Sequence, residues 1–280
     1  MTVFEAGRPA AARPSQPHRS TVVADAVTML RRNLLHLVRY PGLSAFTIGG
    51  PVVLLLLFVF VLGGTLGAGL PGVDPGGGRS AYLAYVMPGI LAMTIAGSAG
   101  GTATTVAMDM TEGITARFRT MAIARASVLA GHVLGNTLQA LIAVVLVLAV
   151  GLLIGFRPGA GVAGWLLAAG LLALVALAVS WLGVGMGMQA RSVETASNLP
   201  LVLLVLPFLG SGFAPTGSMP AGLRWFAAHQ PFTAVIEALR GLLAGTPSTS
   251  DLLLALGWCM VLAVAGYLWS MALYERRSVR

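Results

Sequence analysis

Three groups of side chains in this 280-residue sequence have types and spacings that could do chemistry. Asp109-Met-Thr-Glu112 has the D-x-x-E form of an N-capping box, whose first side chain accepts from a backbone N–H while the fourth reaches back. Arg117, Phe118 and Arg119 follow it. An aromatic ring between two guanidinium groups either fills a cleft on another protein or belongs to a solvated loop whose arginines only fix its side of a membrane. Glu237 and Arg240 stand at i, i+3 among the helically spaced Phe232, Val235, Ile236, Leu239, Leu242 and Leu243. They either pair with each other or meet a substrate or a neighbouring chain. His132, Asn136 and Gln139 step at 4 and 3 along one helix face, a stripe that makes interhelical hydrogen bonds or lines a path.

Little other chemistry is legible. No His/Cys/acid cluster has metal-ligand spacing and no nucleophile–base pair stands out, so no catalytic and no metal residue is assigned. Gly183-x-Gly185-x-Gly187 lies inside an apolar run with no strand before it, which excludes a phosphate-binding loop. The seventeen basic residues are all arginine. Without lysine there is no Walker A loop and no Schiff-base amine. Cys259 is the single cysteine, so no disulfide forms within the chain.

The elements that must position these groups are apolar. The chain is 57% hydrophobic and only 9% charged, against about 25% charge in soluble domains. Six runs free of acid and arginine fall near 43–63, 83–106, 129–155, 163–188, 197–213 and 252–273. A helix needs roughly 20 apolar residues to cross a bilayer, and the fifth run sits at the lower limit. All nine acids lie between or outside the runs, so no buried carboxylate is available to couple transport to an ion gradient.

With the N-terminus inside, thirteen of the seventeen arginines fall on inner segments and four (Arg79, Arg157, Arg224, Arg240) on outer ones. The positive-inside rule then places both termini in the cytoplasm. That distribution follows membrane side rather than a groove, which argues against nucleic acid as a partner. Residues 1–20 read as a disordered cytoplasmic tail. Residues 21–39 form an amphipathic helix: Val23, Val27, Leu30, Leu34 and Leu37 on one face, Asp25, Thr28, Arg32, His36 and Arg39 on the other. It lies in the inner interface, either as an anchor or as an elbow that also touches a cytoplasmic partner. Pro215, Pro220, Pro231 and Pro247 break residues 214–250 into pieces, and the piece 232–244 is too short to span. The expected fold is therefore all-α: a polytopic membrane protein with six transmembrane helices, an N-terminal interface helix, and outer re-entrant helices between spans five and six.

This order of elements resembles the permease subunits of type 2 ABC exporters, especially the daunorubicin-resistance type. The matching motifs are Met87-Pro88-Gly89, Asp109-Met-Thr-Glu112-Gly113 with Arg117-Phe118-Arg119, Gly155-Phe156-Arg157, His229-Gln230-Pro231-Phe232-Thr233 and Ala238-Leu239-Arg240-Gly241. One departure is Met121-Ala122-Ile123-Ala124-Arg125, where the family has a proline soon after the loop arginines.

The resemblance implies that residues 21–280 are one type 2 transmembrane domain in a bacterial plasma membrane. It implies a separate ABC ATP-binding subunit that holds ATP and Mg, leaving this chain without a cofactor of its own. That subunit docks on Asp109, Glu112, Arg117, Phe118, Arg119 and on Arg31, Arg32 and Arg39 of the N-terminal helix. A second permease copy, identical or related, completes the pair, and an amphiphile leaves between them through membrane lipid. The path maps onto Ser98, Thr102, Leu204 and Phe208, and an outer gate onto Glu237 and Arg240. The rival classes are an ion-coupled secondary transporter, which needs ligands in broken helices, a membrane-embedded enzyme, and a scaffold without transport.

The purified chain alone should release no phosphate from ATP, because it lacks the lysine such a site requires. A phosphate-release assay on the single chain checks this, and measurable turnover would sink the reading.

Overall fold

The computed structural model describes residues 41–68, 78–111 and 125–278, with side chains given for 49–68, 78–111 and 129–275. The expected N-terminal helix with Arg31, Arg32 and Arg39, and the segment with Glu112, Arg117, Phe118 and Arg119, lie outside the described residues. Helix α1 (Pro41–Leu56) continues through a π-helical turn (Leu57–Leu62) into α2 (Gly63–Ala68). There follow α3 (Gly78–Thr111), α4 (Arg125–Leu153), α5 (Val162–Gln189) and the short α6 (Val193–Asn198) and α7 (Leu201–Val205). A 3-10 turn (Thr216–Ser218), α8 (Ala221–His229), α9 (Pro231–Ala244) and α10 (Thr249–Ser278) complete the order.

Among the described residues, five stretches are long and apolar enough to cross a membrane: Gly49–Ala68, Gly78–Thr111, Leu129–Leu153, Val162–Gln189 and Thr249–Glu275. The fifth apolar run of the sequence is different. It forms only α6, α7 and a turn region, because Pro200 and Pro207 lack the N–H a continuing helix needs.

Helix α3 is the centre. Its most apolar window is 72% buried, against 17% for α10, so one helix is enclosed by the rest while the others show a face to lipid. At 34 residues it extends about 50 Å, longer than the hydrocarbon layer. Its Tyr82, Val86, Met87, Ile90 and Ile95 pack with Leu55 and Val59 of the first span, Val144 and Val147 of α4, Val175 and Val179 of α5, and Ile236 and Leu239 of α9. A second cluster at the other end joins Val106, Leu129, Val133, Val184 and Met188. Outward-facing Val53, Val61, Val145, Leu166, Val261 and Leu268 are exposed, as lipid-contacting side chains must be.

Small residues set how closely the helices approach. A Cβ on Gly187 of α5 would stand 2.5 Å from the Ala103 carbonyl oxygen of α3. Midway along the bundle a polar knot joins three helices: Asn136 Nδ2 donates to Ser180 Oγ at 2.8 Å and to Ser98 Oγ at 3.4 Å, and Ser180 donates to Ala176 O at 2.7 Å. The expected His132–Asn136–Gln139 stripe thus divides. Asn136 bonds across to α3 and α5, while His132 serves the end of α3.

Gly187→Ala should lower the thermal stability of the detergent-solubilised chain by about 1–3 kcal/mol, since the added methyl meets backbone. Gly131→Ala, where nothing lies within 4 Å, should be neutral or slightly stabilising. Equal melting of the two variants would contradict this packing.

Candidate functional site: a broken helix and its arginine clamp

Beyond Val205 regular helix gives way to turns that run to Phe213, with Leu209 N still donating to Val205 O at 3.2 Å. The start of this stretch is set locally. Ser192 caps α6, accepting from Thr195 N at 3.1 Å, and Pro200 then precedes α7. Gly210, Ser211, Gly212 and Phe213 are buried in the turn region. Buried backbone groups without helical partners need others, most of all where water is excluded.

The partners come from α3 and α9. Gln230 Nε2 donates to Leu206 O at 2.7 Å. Ser211 N donates to Thr233 Oγ1 at 3.3 Å. Ser211 O accepts from Tyr85 OH at 3.0 Å and from Arg240 Nη2 at 2.8 Å. Phe213 O accepts from Tyr82 OH at 3.2 Å. Gln230 is the N-cap of α9 and Pro231 opens its first turn, so the helix start delivers Gln230 and Thr233 together against Gly210. The His229-Gln230-Pro231-Phe232-Thr233 motif is therefore a clamp on the broken stretch. Met87-Pro88-Gly89 has a matching role: a Cβ on Gly89 would come 2.5 Å from Gly212 O, so only glycine admits the turn against α3. Phe213 fills the space beside it, 4.4 Å from the Phe208 ring and 4.8 Å from the Phe58 ring.

Arg240 is the most heavily used side chain. Its Nη1 stands 2.6 Å from Glu237 Oε1, its Nη2 also reaches Tyr85 O at 3.3 Å, and its guanidinium lies 4.0 Å over the Tyr85 ring. The Arg240 side chain is 20% exposed and that of Glu237 39%, so the acid is the solvated partner and the arginine the structural one. Thus Glu237 and Arg240 do pair within one chain. Three buried polar atoms here, Ser211 Oγ, Gln230 Oε1 and Arg240 Nε, have no partner among the described residues. Beside the pair opens a cavity of about 900 Å³, with Tyr85, Phe156, Arg157 and Leu243 in its wall.

The other sequence-assigned residues are dispersed. Asp109 opens no new helix, contrary to the capping-box reading: it lies in the last turn of α3, where it pairs with His132 Nε2 at 3.1 Å and so ties α3 to α4. Ser98 and Thr102 point into the bundle, 6% and 4% exposed. Their neighbours Gly97 and Gly101 are exposed. Leu204 lies 3.5 Å from where a Gly97 Cβ would be, and Phe208 is exposed, so these two belong to the uncovered face. Among the described residues no group of three or more His, Cys, Asp or Glu could hold a metal ion. Tyr82 and Tyr85 were not singled out from the sequence, and Gln230 and Thr233 stood there only as part of the His229–Thr233 motif, without a role. The signal that could have found them was the prolines and glycines of 200–212, which leave backbone groups in need of partners.

A family model described as ABC-2 type transporter matches residues 25–244. The chain is 27% identical over 256 residues to a daunorubicin resistance ABC transporter permease protein of Streptomyces coeruleorubidus, covering 91% of this chain and 85% of that protein. It is 28% identical over 253 residues to a probable doxorubicin resistance ABC transporter permease protein of Mycobacterium tuberculosis, covering 85% of this chain and 86% of that one.

Arg240→Ala removes one of the two donors to Ser211 O, the donor to Tyr85 O and the cation over the Tyr85 ring, so it should cost about 1–3 kcal/mol in thermal unfolding. Glu237→Ala should cost less, about 1 kcal/mol, because its carboxylate is largely solvated. The double variant should melt above the sum of the single losses. If Arg240→Ala melts with the wild type, the clamp does not hold the broken stretch.

Proposed function

Because the chain belongs to the ABC-2 type transporter family, it is the transmembrane subunit of an ABC exporter, and we propose that its cargo is an amphiphilic, drug-like small molecule. The observation that carries the reading is the uncovered face beside the broken helix. Gly97 and Gly101 of α3 are exposed there together with Leu201, Val202, Val205 and Phe208. A smooth apolar face of this kind inside a membrane protein suits either close helix contact or an apolar cargo, and a pair of copies provides both. The relatives are named for resistance to daunorubicin and doxorubicin, amphiphilic small molecules of this class.

The working unit is two such permeases, identical or related, facing each other across this surface, with two ATP-binding subunits beneath. Those subunits hold ATP and Mg. They dock on the segment with Glu112, Arg117, Phe118 and Arg119, on Arg31, Arg32 and Arg39, and beside Asp109. The arginine bias supports a bacterial plasma membrane location with both termini in the cytoplasm. The sixth crossing is then the short α6–α7 segment with its clamped turn. α8 and α9 fold back from the outer side as re-entrant elements, with Glu237 and Arg240 holding that side shut.

The test is co-expression with an ATP-binding subunit, followed by mass measurement of the complex and drug-efflux assays in cells. A two-plus-two complex that lowers cell-associated anthracycline supports the reading; a single permease per complex, or unchanged accumulation, overturns it. Phe118→Ala should weaken docking by about 1–3 kcal/mol if its ring fills a cleft, read as reduced co-purification. Full recovery of the complex would remove Phe118 from the contact.

A further inference from the structure

The cavity beside the arginine clamp has a charge and a shape that nothing in the export cycle yet uses. It is an open cleft of about 900 Å³, with Arg157 exposed at its edge, in the upper range of about 300–1,000 Å³ for small-molecule sites. Its polar wall carries two guanidinium groups, Arg157 and Arg240, and one carboxylate, Glu237. Glu237 is already engaged by Arg240 at 2.6 Å, which leaves Arg157 as the surplus charge. Arg157 is held in place from one side: Nη1 donates to Leu152 O at 2.9 Å and to Phe156 O at 3.1 Å. Its Nε and Nη2 have no bond to any described residue. Five donors in a rigid fork, with two spent on orientation and the rest open to a cavity, suit a phosphate. Phe156, Pro215 and Leu243 supply an apolar wall beside that charge. The cavity lies at the helix ends, where α3 begins and α4 stops, which is headgroup depth for a spanning chain.

We propose that this cavity binds the head of a phosphate-bearing amphiphile, with Arg157 taking the phosphate and the apolar wall taking the first carbons behind it. The site's placement in the outer leaflet rests on the orientation given under the proposed function; binding itself does not. A lipid seated there lies against Glu237 and Arg240, the pair that holds the broken stretch.

The experiment uses the full chain in detergent, without the ATP-binding subunit, and native mass spectrometry. The probes are phosphatidylglycerol, diacylglycerol with the same tails, and inorganic phosphate. The wild type should retain one phosphatidylglycerol, no diacylglycerol, and lose the lipid only at a large excess of inorganic phosphate. Arg157→Gln should weaken retention at least about tenfold, the loss of a charge-assisted contact. Ala84→Trp, which puts bulk into the cavity from α3, should do the same, while Arg191→Gln just beyond the far end of α5 should not. Equal retention of diacylglycerol, displacement by equimolar phosphate, or unchanged binding by both Arg157→Gln and Ala84→Trp would overturn the proposal. A chain that binds lipid this way yet exports no drug would leave the site standing and sink only the cargo reading.

Discussion

A backbone that leaves helical geometry inside a membrane must still give every N–H and C=O a partner, and much of this fold is arranged around meeting that demand for residues 206–213. The demand explains why the polar side chains of α3 and α9 stand where they do. Tyr82, Tyr85, Gln230, Thr233 and Arg240 each spend a hydrogen bond on this one stretch. It also explains the close approach of Gly89 to Gly212, since a carbonyl can reach a donor on α3 only if the turn comes nearly into contact with that helix.

The sequence displayed five spanning helices clearly and left the ion pair as one of two readings. Hydropathy identifies an apolar run directly, and an acid and a base at i, i+3 on a helix share a face whatever surrounds them. The fifth run was harder to read because hydropathy counts side chains and not backbone donors. Residues 197–213 score as apolar, yet Pro200, Pro207, Gly210 and Gly212 interrupt the ladder that would have made them one helix. The inward direction of Ser98 and Thr102 was likewise invisible in sequence. On a helix as enclosed as α3, a rotation of about 100° per residue separates the buried Ser98 from the uncovered Gly97, and only the packing partners decide which faces in.

Helix α3 links three polar features that lie far apart in the bundle. Its first turns supply Tyr82 and Tyr85 to the clamp, its middle supplies Ser98 to the knot with Asn136 and Ser180, and its end supplies Asp109 to His132. Each feature fixes α3 against a different neighbour: the broken stretch, then α4 and α5, then α4 alone. The two ends of the bundle are thus joined through one continuous helix.

The choice of arginine at position 240 follows from the number of groups it serves. Glu237, Ser211 O, Tyr85 O and the Tyr85 ring surround one guanidinium. A planar fork can donate to a carboxylate and to carbonyls in different directions while its face rests on an aromatic ring. An ammonium group is a point charge with three donors and no flat face, so it could not serve the ring and the acceptors from one position. The ion pair alone is a weak reason to hold a charge here, since a partly solvated carboxylate offers little net stabilisation. The carbonyl of Ser211 is the stronger reason. It lies in a buried turn with no helical donor, and the guanidinium reaches it from α9 while its charge remains balanced by Glu237 at the wetter edge.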